Sequence, residues 1–156
     1  MDDLALLREA IRWAATLSAD GIHGPFGAVV ARDGEVVGRG WNRVVELHDP
    51  TAHAEVMAIR DAGARLGTHE LTGCTLYTSC EPCPLCLAAA YWARVTRVVY
   101  AASKEDAAAA GFDDQAIYGE MGIPWEARRV RGEQHLRGEG RDVLEAWLAN
   151  SRRIPY

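Results

Sequence analysis

No stretch of the 156-residue chain reaches the ~18 consecutive apolar residues that a membrane-spanning helix needs, so no membrane partner is expected. A basic excess is missing too: Asp and Glu outnumber Lys and Arg by 22 to 17, for a net charge of −5. Proteins that grip the phosphate backbone usually carry the opposite balance, which disfavours nucleic acid as a partner. There is no internal repeat, no low-complexity segment and no linker, so one domain over 1–156 is expected. The opening MDDLALLREAIRWAA is acidic at its start and amphipathic, unlike a secretory signal. Only four cysteines occur, and three crowd into seven residues at Cys80, Cys83 and Cys86. That spacing suits a disulfide framework poorly. It points to a reducing cytoplasm and to a metal or catalytic use of the thiols.

What is present has a soluble globular balance, with 49% hydrophobic and 25% charged residues. Apolar residues at Leu4, Leu7, Ile11 and Ala14 have helical spacing, and Asp2 or Asp3 can cap that helix, which runs to Ser18. Phe26 to Ala31 reads as a strand, Asp33-Gly34 as a hairpin turn, and Glu35 to Trp41 as the returning strand. A polar loop, Asn42 to Pro50, leads to a helix with Thr51 as N-cap, ended near Leu66 by Gly67. Strands are expected at Cys74 to Thr78, Val95 to Ala101 and Arg128 to Arg131, with helices through Leu87 to Trp92, Glu105 to Ala110 and Val143 to Ala149. Strands alternating with helices imply parallel pairing, while the opening hairpin makes part of the sheet antiparallel. The expected fold is a three-layer α/β domain with a mixed sheet of about five strands flanked by helices.

Two helix starts carry the chemistry: Thr51-Ala52-His53-Ala54-Glu55 and Glu81-Pro82-Cys83-Pro84-Leu85-Cys86. His53, Cys83 and Cys86 are three good zinc ligands, and a site with three protein ligands leaves its fourth position to water. Glu55 lies two residues from the histidine, placed to take a proton and return it to a substrate nitrogen. A helix N-terminus favours thiolate and carboxylate at these positions. Other uses stand beside this one: a CxxC redox pair, part of an iron–sulfur run, or a closed structural zinc with Cys80 as fourth ligand. Cys80 otherwise reads as a small residue packed near the site and Cys74 as core. A non-catalytic zinc-stabilised domain is a further reading, and it would have no need of Glu55.

Phe26-Gly27-Ala28-Val29-Val30, Asp49 to Glu55 and Thr78 to Cys86 resemble the cytidine deaminase superfamily, whose zinc signature is His-x-Glu followed by Pro-Cys-x-x-Cys. Tyr91-Trp92-Ala93-Arg94, Ala110-Gly111-Phe112-Asp113-Asp114 and the terminal Tyr156 are similar to the bacterial guanine deaminases within it. The resemblance implies one zinc ion per subunit, with water or hydroxide as fourth ligand. It implies hydrolysis of guanine to xanthine and ammonia, in purine salvage or catabolism. Glu55 would shuttle the proton, Asp114 would lie near the amino group, Asn42 would bond the base, and the Ala54 and Cys83 amides would orient the substrate. Residues 150–156, ending Ile154-Pro155-Tyr156, would form a lid exchanged between the subunits of a homodimer, with Tyr156 reaching the substrate.

Each of these residues also has a plain structural use. Asn42 is a turn former, Asp114 a helix cap, and Phe26 and Trp92, the candidates to sandwich the flat purine, are aromatic residues that usually bury in the core. His23 and His48 are candidates for the cleft entrance; His69 and His135 read as surface or loop residues. Glu120 to Glu133 and Gly138 to Arg141 carry no motif, which leaves guanosine or another amino-purine or triazine as alternative substrates. A tRNA adenosine deaminase shares the zinc motif but calls for a basic face, against the charge of −5.

Overall fold

The computed structural model describes residues 1–156, which form two compact units, Met1–Tyr118 and Gly119–Tyr156. The first unit runs α1 (Asp3–Ser18), β1 (Gly27–Arg32), β2 (Glu35–Trp41), α2 (Val44–Leu47), α3 (Ala54–Leu66), β3 (Cys74–Cys80), α4 (Pro84–Trp92), β4 (Arg97–Ala102) and α5 (Lys104–Ala109). A further helix, α6 (Asp114–Met121), spans the boundary between the units.

The sheet has the order β2-β1-β3-β4, with β1 antiparallel to both neighbours and β3 parallel to β4. It is therefore mixed, as expected. β1 is central and buried on both faces, which explains its unbroken apolar run Ala28 to Ala31. Ala28 and Val30 face a core shared with Ala54, Ala58 and Ala62 of α3 and Ala90 of α4. Val29 and Ala31 face the opposite way, against Leu6 and Ala10 of α1. These two cores define three layers. The hairpin turn is as read: Asp33 and Gly34 both take positive φ, 52° and 77°, as a two-residue turn between twisted strands requires. Asp2 caps α1 by accepting from the Ala5 amide at 2.7 Å. Asp3 then pins α1 to the sheet, accepting from Tyr77 Oη and from Arg97 Nη2, each at 2.6 Å.

The count of about five strands is corrected to four. The fifth, expected at Arg128 to Arg131, is irregular backbone in the second unit. Its arginines bond locally instead. Arg128 lies 4.2 Å over the Trp125 ring and donates to the Ile123 carbonyl, while the Arg129 amide donates to Glu120 at 2.8 Å. The rest of that unit is a 3-10 turn, Trp125–Ala127, and α7 (Arg137–Ala149), which contains the helical segment expected at Val143 to Ala149. Within the polar loop, α2 adds one helical turn.

α3 settles unusually close to β2. A Cβ on Gly40 would fall on the Ala54 carbonyl oxygen and the Ala58 amide nitrogen, and one on Gly38 would meet Ala58 and Ala62. This contact fixes the height of the α3 N-terminus over the sheet. Gly40→Ala should therefore cost about 1–3 kcal/mol of stability, read as a shifted denaturant midpoint. It should also lower the zinc content of the purified protein, since His53 sits at that N-terminus.

Candidate active site

Phe26 before β1, Asn42 after β2, Cys80 at the end of β3, and the starts of α3 and α4 all lie at one end of the sheet. The turn entering α3 is tied by Asp49, whose carboxylate accepts from the Thr51 amide and hydroxyl at 2.8 and 2.7 Å. The N-cap expected at Thr51 falls on His53, because Thr51 is engaged by Asp49 and the chain turns helical only at Ala54. Cys83 is the N-cap of α4, with Pro84 supplying a pre-set φ at the first helical position.

His53 Nδ1 lies 3.4 Å from both Cys83 Sγ and Cys86 Sγ, and the two sulfurs are 3.5 Å apart. A tetrahedral zinc ion, ~2.3 Å from sulfur and ~2.0–2.1 Å from nitrogen, holds such atoms about 3.6–3.8 Å apart. The triangle thus fits zinc with a small expansion, and its donor set of one imidazole and two thiols suits that ion. Ionisation fits as well. Hydrogen bonding from Cys86, then from His53, holds the Cys83 thiol down to about 4. Cys86 is pushed far up by Cys83 beside it and by burial. A divalent cation in the triangle is what lets both sulfurs ionise. Cys80 takes no part: its Sγ lies 3.5 Å from the Ser103 carbonyl, and burial first, then the charge of Glu55, pushes its thiol up to about 11. Cys74 is core, as read.

Glu55 is only 6% exposed, and that burial raises its pKa, with the Cys83 charge adding to it. Burial of this kind favours the protonated carboxyl over the carboxylate. Asp114 is raised for the same two reasons in the same order. It is not the helix cap. Asp113 does that work, accepting from the Ala116 amide at 3.1 Å, which leaves the Asp114 carboxylate to the cleft. Asn42 is 8% exposed, anchored by its amide to the Phe26 carbonyl at 3.1 Å and by Oδ1, which accepts from the Val44 amide at 3.3 Å. Gly24 passes directly over the Asn42 side chain, where a Cβ would stand 3.0 Å from its Cγ.

A cleft of about 530 Å³ gathers these groups, with His53, Ala54, Glu55, Cys83, Asn42, Asp114 and Phe26 on its walls. Cys86 is fully buried beneath. Trp92 is 65% exposed on α4 and does not line the cleft. Tyr156 is exposed in the second unit. His23 lines the cleft and His48, the left-handed C-cap of α2, does not. Phe112 and Val44 were not expected there. Phe112 meets Phe26 edge to face at 4.8 Å and 81°. Its place directly before the acidic pair was the available signal; nothing in the sequence marked Val44.

The chain's residues 1–102 match the family described as the cytidine and deoxycytidylate deaminase zinc-binding region. It belongs to that family. Over its whole length this deaminase-family chain is 48% identical to the whole of the guanine deaminase of Bacillus subtilis (strain 168). The X-ray structure of guanine deaminase from Bacillus subtilis superposes with a TM-score of 0.96 at 46% identity, over 100% of this chain and 99% of that one. A solved guanine deaminase from Nitrosomonas europaea matches with a TM-score of 0.69 at 35% identity, over 72% of this chain and 65% of that one. A tRNA-specific adenosine deaminase of Aquifex aeolicus is 45% identical over 78 residues, covering 50% of this chain and 52% of its own. That Aquifex match covers half of the chain, whereas the Bacillus relative spans all of it.

Metal bound only by the folded deaminase adds to its stability. Stripping zinc with a chelator should lower the Tm by about 5–15 °C, and Cys86→Ala should reproduce most of that loss together with an empty site by metal analysis.

Proposed function

We propose that the protein is a zinc-dependent guanine aminohydrolase that converts guanine and water to xanthine and ammonia. The observation that carries this is the buried Glu55 carboxyl in a cleft lined also by Asn42, Asp114 and, from the ligand triangle, His53 and Cys83, with Cys86 buried beside them. Full-length similarity to a guanine deaminase supports the same substrate. Zinc, one ion per chain held by those three residues, would supply the Lewis acidity that makes a water easier to deprotonate. Glu55 takes a proton from the attacking water and gives it to ring N3 of the base as the water oxygen bonds to C2. It then carries the proton left on that oxygen to the C2 amine, so that C2 becomes a carbonyl as the C2–N bond breaks and ammonia leaves. Being buried, its carboxyl accepts the proton at little cost.

Asn42, fixed through Phe26 and Val44, offers its side-chain amide to the base edge. Ala54 opens α3, so its amide belongs to those that the helix leaves without an internal partner. It is available to orient the substrate, as the Cys83 amide would be at α4. Phe26, braced by Phe112, offers one aromatic face to the purine. Asp114 lies where it can accept from the departing amine or relay its proton.

We read residues 1–156 as one deaminase domain working as a cytoplasmic homodimer. Its four cysteines form no disulfide, which suits a reducing compartment, and no helix is long and apolar enough to cross a membrane. The C-terminal unit has no buried residue of its own, and α7 exposes Val143, Leu144, Trp147 and Leu148. An apolar face of that kind calls for a cover, and a second copy can supply one. In that dimer, residues 150–156 act as the lid, with Tyr156 over the bound base and Trp92 as a further aromatic contact.

Ammonia release from guanine tests the reaction. Glu55→Gln should lower kcat by about 10²- to 10⁴-fold with zinc and melting behaviour kept. Guanosine, adenine, cytidine and a triazine amine run alongside should be poor substrates. Sedimentation should give twice the 17.0 kDa chain mass, and deleting 150–156 should raise KM while the protein stays folded and zinc-loaded.

A further inference from the structure

Two loops shape the mouth of the cleft. The loop between α1 and β1 brings Ile22 and His23, and the loop after β2 brings Val44 and Val45. A chain of charges that no catalytic step uses joins them. His23 Nδ1 lies 2.7 Å from Asp20 Oδ2, and its Nε2 lies 3.0 Å from Glu46 Oε2. Arg43 donates to both oxygens of the same Glu46 carboxylate, at 2.8 and 2.5 Å. The Arg43 guanidinium also sits 5.6 Å from the centre of the Trp41 ring, and Trp41 stacks on Trp13 of α1 at 5.3 Å and 11°. The grip is therefore rooted in the sheet and in α1. At the other end, the Asp20 carboxylate is set in place by the Ile22 and His23 amides, which donate to it at 2.8 and 3.1 Å.

The imidazole chemistry fixes the charge state this arrangement needs. A neutral histidine donates from one ring nitrogen only. Here both nitrogens face carboxylate oxygens, so both contacts are hydrogen bonds only when His23 is the imidazolium.

We propose that Asp20, His23, Glu46 and Arg43 form a clasp across the cleft mouth, in which His23 is a positioning residue that holds the Ile22 wall against the Val44–Val45 wall around the bound purine. The proposal rests on the deaminase reading above. The charged groups facing the imidazole are Asp20 on its own loop and Glu46 from α2, with Arg43 behind Glu46. Glu46 raises the histidine's pKa first and Asp20 second. Arg43, then His23, holds the Glu46 carboxyl down to about 2, and the Ile22 and His23 amides help keep Asp20 low. The clasp is thus complete while His23 is the imidazolium, and it loses one hydrogen bond as pH rises through the elevated pKa of His23.

The test uses zinc-loaded full-length protein, with His23→Ala, Glu46→Gln and the double variant, from about pH 6 to about pH 10. Near neutrality each single variant should raise KM for guanine about two- to fivefold, the range of a partly exposed charge pair, with kcat within about twofold. The double variant should add little beyond either single one. The ratio of the His23→Ala KM to the wild-type KM, which cancels any titration of the substrate, should fall towards one above the His23 pKa read by NMR from its own ring protons. Amide exchange over 20–25 and 43–48 should speed up in both single variants. A ratio of one at every pH, a raised ratio that ignores pH, or unchanged exchange in those loops overturns the clasp. If the wild type releases no ammonia from guanine, the substrate reading fails separately. The exchange data then decide the clasp alone, sustaining it if the loops loosen as His23 deprotonates and overturning it if they do not.

Discussion

Where α3 crosses β2, Gly38 and Gly40 let the alanine face of the helix settle onto the strand with no side chain between them. Ala54, Ala58 and Ala62 recur at helical spacing and are fully buried there. Such a contact tolerates no added atom, because interiors are packed near solid density. Its consequence falls on the two residues that flank Ala54. His53 and Glu55 are held at a fixed height beside the end of β3, which carries the chain into Cys83 and Cys86. The ligand triangle has edges of 3.4 to 3.5 Å, so a shift of one ångström in the helix would spoil it.

Electrostatics reinforces the same geometry. Both ligand segments enter helices at their N-cap residues, where backbone N–H groups and the macrodipole favour negative charge. Two sulfurs 3.5 Å apart cannot both ionise unaided, and the opposed shifts of Cys83 and Cys86 express that conflict. A cation resolves it. Glu55 is different in kind: its burial favours the protonated carboxyl, which raises its affinity for a proton taken in the reaction.

The sequence made the floor of this site legible and left its rim obscure. His53, Glu55, Cys83 and Cys86 could be read because ligand chemistry restricts residue type and spacing together. The hairpin was legible because Asp33-Gly34 is among the few pairs that accept positive φ at both positions. The central strand could be read from its continuous apolar run. Val44 gave no such signal and Phe112 only its place before the acidic pair, since an aromatic or aliphatic side chain at the surface looks the same whether it meets a ligand or solvent. The fifth strand failed for a related reason. Arg128 to Arg131 has the length of a strand, but whether a segment pairs depends on what its side chains find nearby, and here they find Trp125, Ile123 and Glu120.

That division between floor and rim has a physical basis. The floor must hold ligand atoms to within tenths of an ångström, so it is built on helix starts locked to a sheet. The rim must admit a flat base and let the product go, so it is built on loops, whose local opening costs less than unfolding the core. Loops of that kind need ties strong enough to define a wall and weak enough to release it. Partly exposed ion pairs fall in this range, and the rim carries them in sequence from Arg43 through Glu46 to His23 and Asp20. The buried groups below are held by packing instead, so substitutions at the rim should alter which purines enter and how fast they leave, while substitutions at the floor should remove the chemistry itself.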